Sequence, residues 1–139
     1  MNTCERDVNE WVRYAQTDYD CARKMAEMFH PTPIEIICYH CQQSAEKILK
    51  AYVIAKENTL TKTHDLNILL EQCKQYSPEF DKYAKACITL TAYAVITRYP
   101  PQKEITEQHM KSALKDTREI LEFTLSKLAE LGFEITKSQ

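Results

Sequence analysis

Apolar residues recur at spacings of three and four along most of the chain, the period of an amphipathic helix. Val8, Trp11, Val12, Ala15, Tyr19, Ala22, Ala26 and Phe29 form one such stripe, which predicts a first helix from about Asp7 to Phe29, ended by His30-Pro31. Thr32-Pro33-Ile34-Glu35 reads as the start of a second. Thr32 would cap it, Pro33 would take the first helical position and Glu35 would complete a capping box. This helix runs to about Lys56, with Ile37, Cys38, Cys41, Ala45, Ile48, Leu49, Tyr52 and Val53 on its apolar face. A face this wide predicts a central helix touched by several neighbours. Gln43, Glu46, Lys47 and Lys50 read as its solvated side, with Glu46 and Lys50 an ordinary i,i+4 pair.

Glu57 to His64 is a polar loop. A short third helix from about Asp65 to Gln75 carries Leu66, Leu69, Leu70 and Cys73. Ser77-Pro78 opens a fourth, striped by Phe80, Tyr83, Ala84, Cys87, Leu90, Thr91, Ala94 and Val95 and ended before Pro100-Pro101. The fifth runs from a cap at Thr106 to Leu131, with Met110, Ala113, Leu114, Thr117, Ile120, Leu121, Thr124 and Leu128 inward and Gly132 as its stop. Four long helices, one short one and brief connections predict an all-α, up-and-down bundle.

Composition supports this. The chain has 139 residues and one glycine, where average usage would give about ten; sheets need glycine for hairpins and bulges. Its length predicts a single domain with a core over about residues 8–131. The net charge of −2 argues against an indiscriminate nucleic-acid binder, which would be strongly basic. No apolar run approaches the ~20 residues of a membrane span. The polar start, Met1 to Asp7, lacks a signal-peptide core. The six cysteines therefore read as reduced thiols and the location as cytoplasmic.

Residue type excludes several chemistries. One glycine cannot build a phosphate-binding or dinucleotide loop, and there is no Gly-x-Ser-x-Gly elbow or His-Glu-x-x-His pair. Cys38-Tyr39-His40-Cys41 has no second CxxC to complete a zinc site. Cys38 and Cys41 are expected in the core, as are Cys21, Cys73 and Cys87 on their apolar stripes. No metal and no cofactor is expected.

Three stretches carry a family resemblance: Trp11, Ala15, Asp18 and Ala22 in the first helix; Cys41-Gln42-Gln43-Ser44-Ala45-Glu46-Lys47-Ile48-Leu49-Lys50-Ala51 in the second; and Lys62-Thr63-His64-Asp65-Leu66 before the third, with Arg98-Tyr99-Pro100 after the fourth. Together they resemble a HEPN domain, of the higher eukaryotes and prokaryotes nucleotide-binding family, over roughly Val8 to Leu131. The resemblance implies a helical bundle that pairs as a homodimer and works beside a minimal nucleotidyltransferase, in some cases as toxin and antitoxin. Many such proteins are metal-independent ribonucleases whose motif is an Arg and a His a few residues apart. Here ten residues separate Arg98 from His109. Members with the Arg-Tyr-Pro form commonly lack the ribonuclease spacing, which implies binding without cleavage.

The candidate residues follow. Arg98 offers a planar fork for phosphate, or a simple interaction with a helix C-terminus. Tyr99 stands beside it; in some pairs of the family a tyrosine near the Arg motif accepts adenylyl groups. His64, at the third helix's N-terminus, could meet a phosphate, while Asp65 reads as that helix's cap. Gln43 and Lys47, one turn apart, could line a dimer cleft. The expected function is non-catalytic binding of a nucleotide or RNA phosphate by a dimer partnered with a nucleotidyltransferase, through Arg98, Tyr99, His64, Lys47 and Gln43. The alternatives are a metal-independent endoribonuclease toxin using Arg98 and His109, and a pure protein-interaction module.

Overall fold

The computed structural model describes residues 2–95 and 104–135, and among them every regular element is helical. Helix α1 spans Thr3–Met28, α2 Ile34–Glu57, α3 Leu66–Tyr76, α4 Ala84–Thr91 and α5 Glu107–Glu130; short 3₁₀ segments, Pro78–Tyr83 and Ala92–Ala94, flank α4. The all-α bundle that the periodicity predicts is present. Arg98, Tyr99 and the Pro100-Pro101 stop lie outside the described residues.

Helix α1 starts earlier than its apolar stripe because Asn2 caps it, accepting the Glu5 N–H at 2.8 Å. The start of α2 differs from expectation. Pro33 occupies the cap position itself, with no side-chain cap, and its carbonyl accepts the Ile37 N–H at 3.0 Å. The Thr32 hydroxyl points backward instead, donating to the Phe29 carbonyl at 3.5 Å. Asp65 caps α3 through the Asn67 N–H at 2.9 Å, as the sequence suggests.

The fourth element is helical from Pro78 to Ala94 but not uniformly α. Thr91 explains its tightening at the end. Its hydroxyl donates back to the Cys87 carbonyl at 2.7 Å and accepts the Leu66 N–H at 3.1 Å. Such back-bonding competes with the helical ladder and bends it. The bond from the Leu66 N–H ties the end of α4 to the start of α3.

Helix α2 is central. Ile37, Cys38, Cys41, Ala45, Ile48, Leu49 and Ala51 are fully buried, and so is Leu69 of α3, Phe80, Cys87 and Leu90 of the fourth element, and Ile120 and Leu128 of α5. Ser44 donates to the Ala15 carbonyl of α1 at 2.7 Å, and Thr117 of α5 donates to the Cys41 carbonyl at 3.3 Å. Of the thiols expected inside, Cys38, Cys41, Cys73 and Cys87 are buried, and burial pushes Cys38, Cys41 and Cys87 up to about 12. Cys21 is the exception: it is exposed, on the outer side of α1.

The connection from α2 to α3 sets the position of the site. Asn58, in the left-handed region at φ 54°, ends α2. The chain then doubles back along α2, so that the His64 carbonyl accepts from Gln42, while Cys73 reaches the Leu49 carbonyl and Tyr76 the Glu57 carboxylate. Helix α3 therefore runs in the same direction as α2, and the up-and-down alternation is interrupted at this one connection.

Helix α5 ends in a Schellman turn: Gly132 donates to the Ala129 carbonyl at 3.0 Å and Phe133 to the Leu128 carbonyl at 3.1 Å. Gly132 has φ +92° and open space around the position of a Cβ. A side chain there costs backbone strain alone, so Gly132→Ala should lower stability by about 1 kcal/mol in urea unfolding.

Candidate functional site

The polar residues of α2 are not the solvated face that the sequence suggests. Glu46 is 3% exposed and Lys50 6%. They lie in the seam between α1 and α2, where the returning loop covers them. The physical cause is the path of residues 58–65: it lays His64 against Glu46 and closes off the side of α2 that would otherwise meet water.

Two carboxylates organise this seam. Glu46 is the first. One of its oxygens accepts from Gln42 Nε2 at 3.1 Å and from His64 Nδ1 at 2.9 Å; the other accepts from Lys50 Nζ at 2.9 Å. The Lys50 ammonium also sits 5.5 Å from the centre of the Trp11 ring. A buried ion pair persists only with this kind of full hydrogen bonding. Because Nδ1 of His64 faces a carboxylate, it donates there, and Nε2 is the nitrogen turned outward, a donor to an anionic oxygen when the ring is an imidazolium. The His64 side chain is 73% exposed. One end of the imidazole is thus fixed to the buried frame and the other is offered to solvent.

Asp18 of α1 is the second. Its Oδ1 pairs with His40 Nδ1 at 3.0 Å and its Oδ2 with Lys47 Nζ at 2.6 Å. Burial acts to raise the Asp18 pKa, but the hydrogen bonds from His40 and Lys47 and their charges outweigh it and hold the carboxyl below its ordinary value. A depressed folded-state pKa stabilises the fold above the unfolded value, and that stability is lost as pH falls through the folded value. Urea midpoints should therefore drop more on acidification for wild type than for Asp18→Asn, the two converging in acid.

Gln43 joins the first cluster by donating to Gln42 Oε1 at 2.7 Å. The seam thus brings together three of the sequence candidates, Gln43, Lys47 and His64, on two neighbouring clusters. It also adds residues that the sequence reading did not assign to a site: Asp18, His40, Glu46, Lys50 and Trp11. A signal for them was present. Gln42, Glu46 and Lys50 form an i,i+4,i+8 row beside the wide apolar face of α2, and Asp18 lies between Ala15 and Ala22 on α1.

His109 stands apart. It completes a capping box at the start of α5, its N–H donating to Thr106 Oγ1 at 3.2 Å and its Nδ1 accepting the Thr106 N–H at 3.0 Å. Both of these hydrogen bonds stay within that one turn. No three His, Cys, Asp or Glu side chains among the described residues converge as a metal site would require. No helix among them is long and apolar enough to cross a membrane.

A comparison with curated proteins finds no match. A family model described as HEPN domain matches residues 8–128, which takes in most of α1, the seam, the returning loop and nearly all of α5. The chain belongs to the HEPN domain family.

Proposed function

We propose that this protein is a non-catalytic HEPN dimer that binds the phosphate of a nucleotide or RNA at the α1–α2 seam, and that it acts with a minimal nucleotidyltransferase in a toxin–antitoxin-like pair. The mounting of His64 carries the reading. A buried carboxylate fixes Nδ1 while Nε2 remains open to solvent, which is how a protein pre-orients a polar contact for a ligand. Lys47, partly exposed and positioned by Asp18, is the nearby cation on α2. Arg98 follows the last described residue of the fourth element by three positions. That element ends beside the loop carrying His64, through the bond between Thr91 and Leu66. Arg98 and Tyr99, outside the described residues, are proposed as ligand contacts on the family resemblance.

The capping role of His109 favours binding over cleavage. Dimerisation is supported by exposed apolar side chains: Ile68 of α3 at 49%, Ile88 of α4 at 65% and Val95, just after the fourth element, at 54%. A surface that joins such side chains into one patch is a common mark of an interface.

Fluorescence anisotropy with a short single-stranded RNA, in excess chelator, tests the reading. Wild type should bind saturably and leave the RNA intact. His64→Ala and Lys47→Ala should each weaken binding roughly tenfold, the worth of one hydrogen bond to a charged group. Intact binding in both variants would overturn the assignment of the seam. RNA cleavage by wild type that His109→Ala abolishes would replace it with the ribonuclease reading.

A further inference from the structure

Tyr14 lies on the same face of α1 as Trp11, three residues before it, and Asp18, four after it. Its ring is 46% exposed. Two cations attend it: Arg13 Cζ lies 4.6 Å from the ring centre and Lys47 Nζ 5.9 Å. These cations are held very differently. Lys47 is clamped by Asp18 at 2.6 Å and is 24% exposed. Arg13 is 61% exposed and its other partner is an exposed carboxylate, Glu10, at 3.2 Å. Exposed pairs of this kind contribute little.

We propose that Tyr14 is a stacking seat for a nucleobase, with Lys47 and Arg13 taking the adjoining phosphate. This rests on the phosphate-binding reading of the seam and names the part of the ligand beside the phosphate. The chemistry is that of nucleic-acid recognition without sequence readout, in which a base lies on an exposed aromatic ring and cations follow the backbone. Every base has a π face, so the seat accepts any of them. Arg13 covers the ring in the free protein through a weak, exposed cation–π contact. A base displaces it, and the freed guanidinium forks onto the phosphate, the geometry for which it is suited. Lys47 need not move, because Asp18 already holds it beside the ring. The acidic groups facing this strip, Glu10 and Asp18, are both engaged by these cations, so the ligand enters as a competitor for Arg13 and as an addition at Lys47.

The shared ligand chemistry is a base next to a phosphate, either free or within a strand. Binding of three probes distinguishes the cases: a short single-stranded RNA, ATP and inorganic triphosphate. Tyr14→Ala should weaken RNA binding roughly tenfold, in line with the loss of one base stack, and leave inorganic triphosphate unaffected. Tyr14→Phe should bind RNA as wild type does. A parallel loss for ATP would show that a free nucleotide fills the seat, and a loss for RNA alone that the base comes from a strand. Wild-type affinity of Tyr14→Ala for both RNA and ATP would overturn the proposal while leaving the seam's phosphate binding intact. Failure of wild type to bind any of the three probes would overturn both.

Discussion

Replacing Glu46 with Leu is expected to cost about 3–5 kcal/mol of stability, the typical penalty for leaving one member of a buried ion pair without its partner. Lys50 would keep its ammonium in a site where it is 6% exposed. The Trp11 ring, 5.5 Å away, would still face it. Gln42 and His64 would lose the acceptor they share. The double variant Glu46→Leu/Lys50→Met should recover most of the loss, since a buried pair exchanged for apolar groups of similar volume is often neutral or better. Urea unfolding of the two single variants and the double gives the coupling energy directly. The double variant also separates stability from function. It should fold, yet bind RNA less well than wild type, because nothing then holds Nδ1 of His64. Equal stability of Glu46→Leu and wild type would show that Lys50 reaches water.

Phe80→Ala is the second large effect, at about 3–5 kcal/mol. Phe80 has no exposed surface. Its ring centre lies 4.9 Å from that of Tyr52 on α2 and 4.9 Å, edge to face, from that of Phe123 on α5. Lys82 caps the outer side of the Phe123 ring at 4.0 Å. This one side chain therefore pins the 3₁₀ segment before α4 to two other helices. Such a loss should lower the melting temperature by roughly 3 °C for each kcal/mol. Phe29→Ala provides the contrast. That ring is 55% exposed at the end of α1, and its loss should stay within about 0.5 kcal/mol.

The helices were legible because each buries a stripe with its own period, and the one glycine left few other folds open. Asp65, Thr106 and Gly132 were readable as caps and stop because those roles depend on local chemistry. The seam was less legible. The burial of Glu46 and Lys50 depends on a loop eighteen residues further along that doubles back instead of crossing over, and no local pattern encodes that path. Read by period alone, Glu46 and Lys50 are an ordinary surface pair. Thr32 shows the same limit on a smaller scale, since its residue type reads as a forward cap while its hydroxyl donates backward to the Phe29 carbonyl. His109 was read as chemistry or as a surface residue at a helix start; it is exposed there and also forms half of a capping box, a detail that its residue type did not announce.

The most direct test of the account is an amide and side-chain NMR titration of the wild-type protein with single-stranded RNA. The account predicts shifts gathered on the Trp11 indole, Tyr14, the Gln43 side-chain amide, Lys47 and the loop from Lys62 to Leu66. Shifts confined to the groove between α1 and α5 around Leu125 and Phe133, or none at saturating RNA, would contradict it.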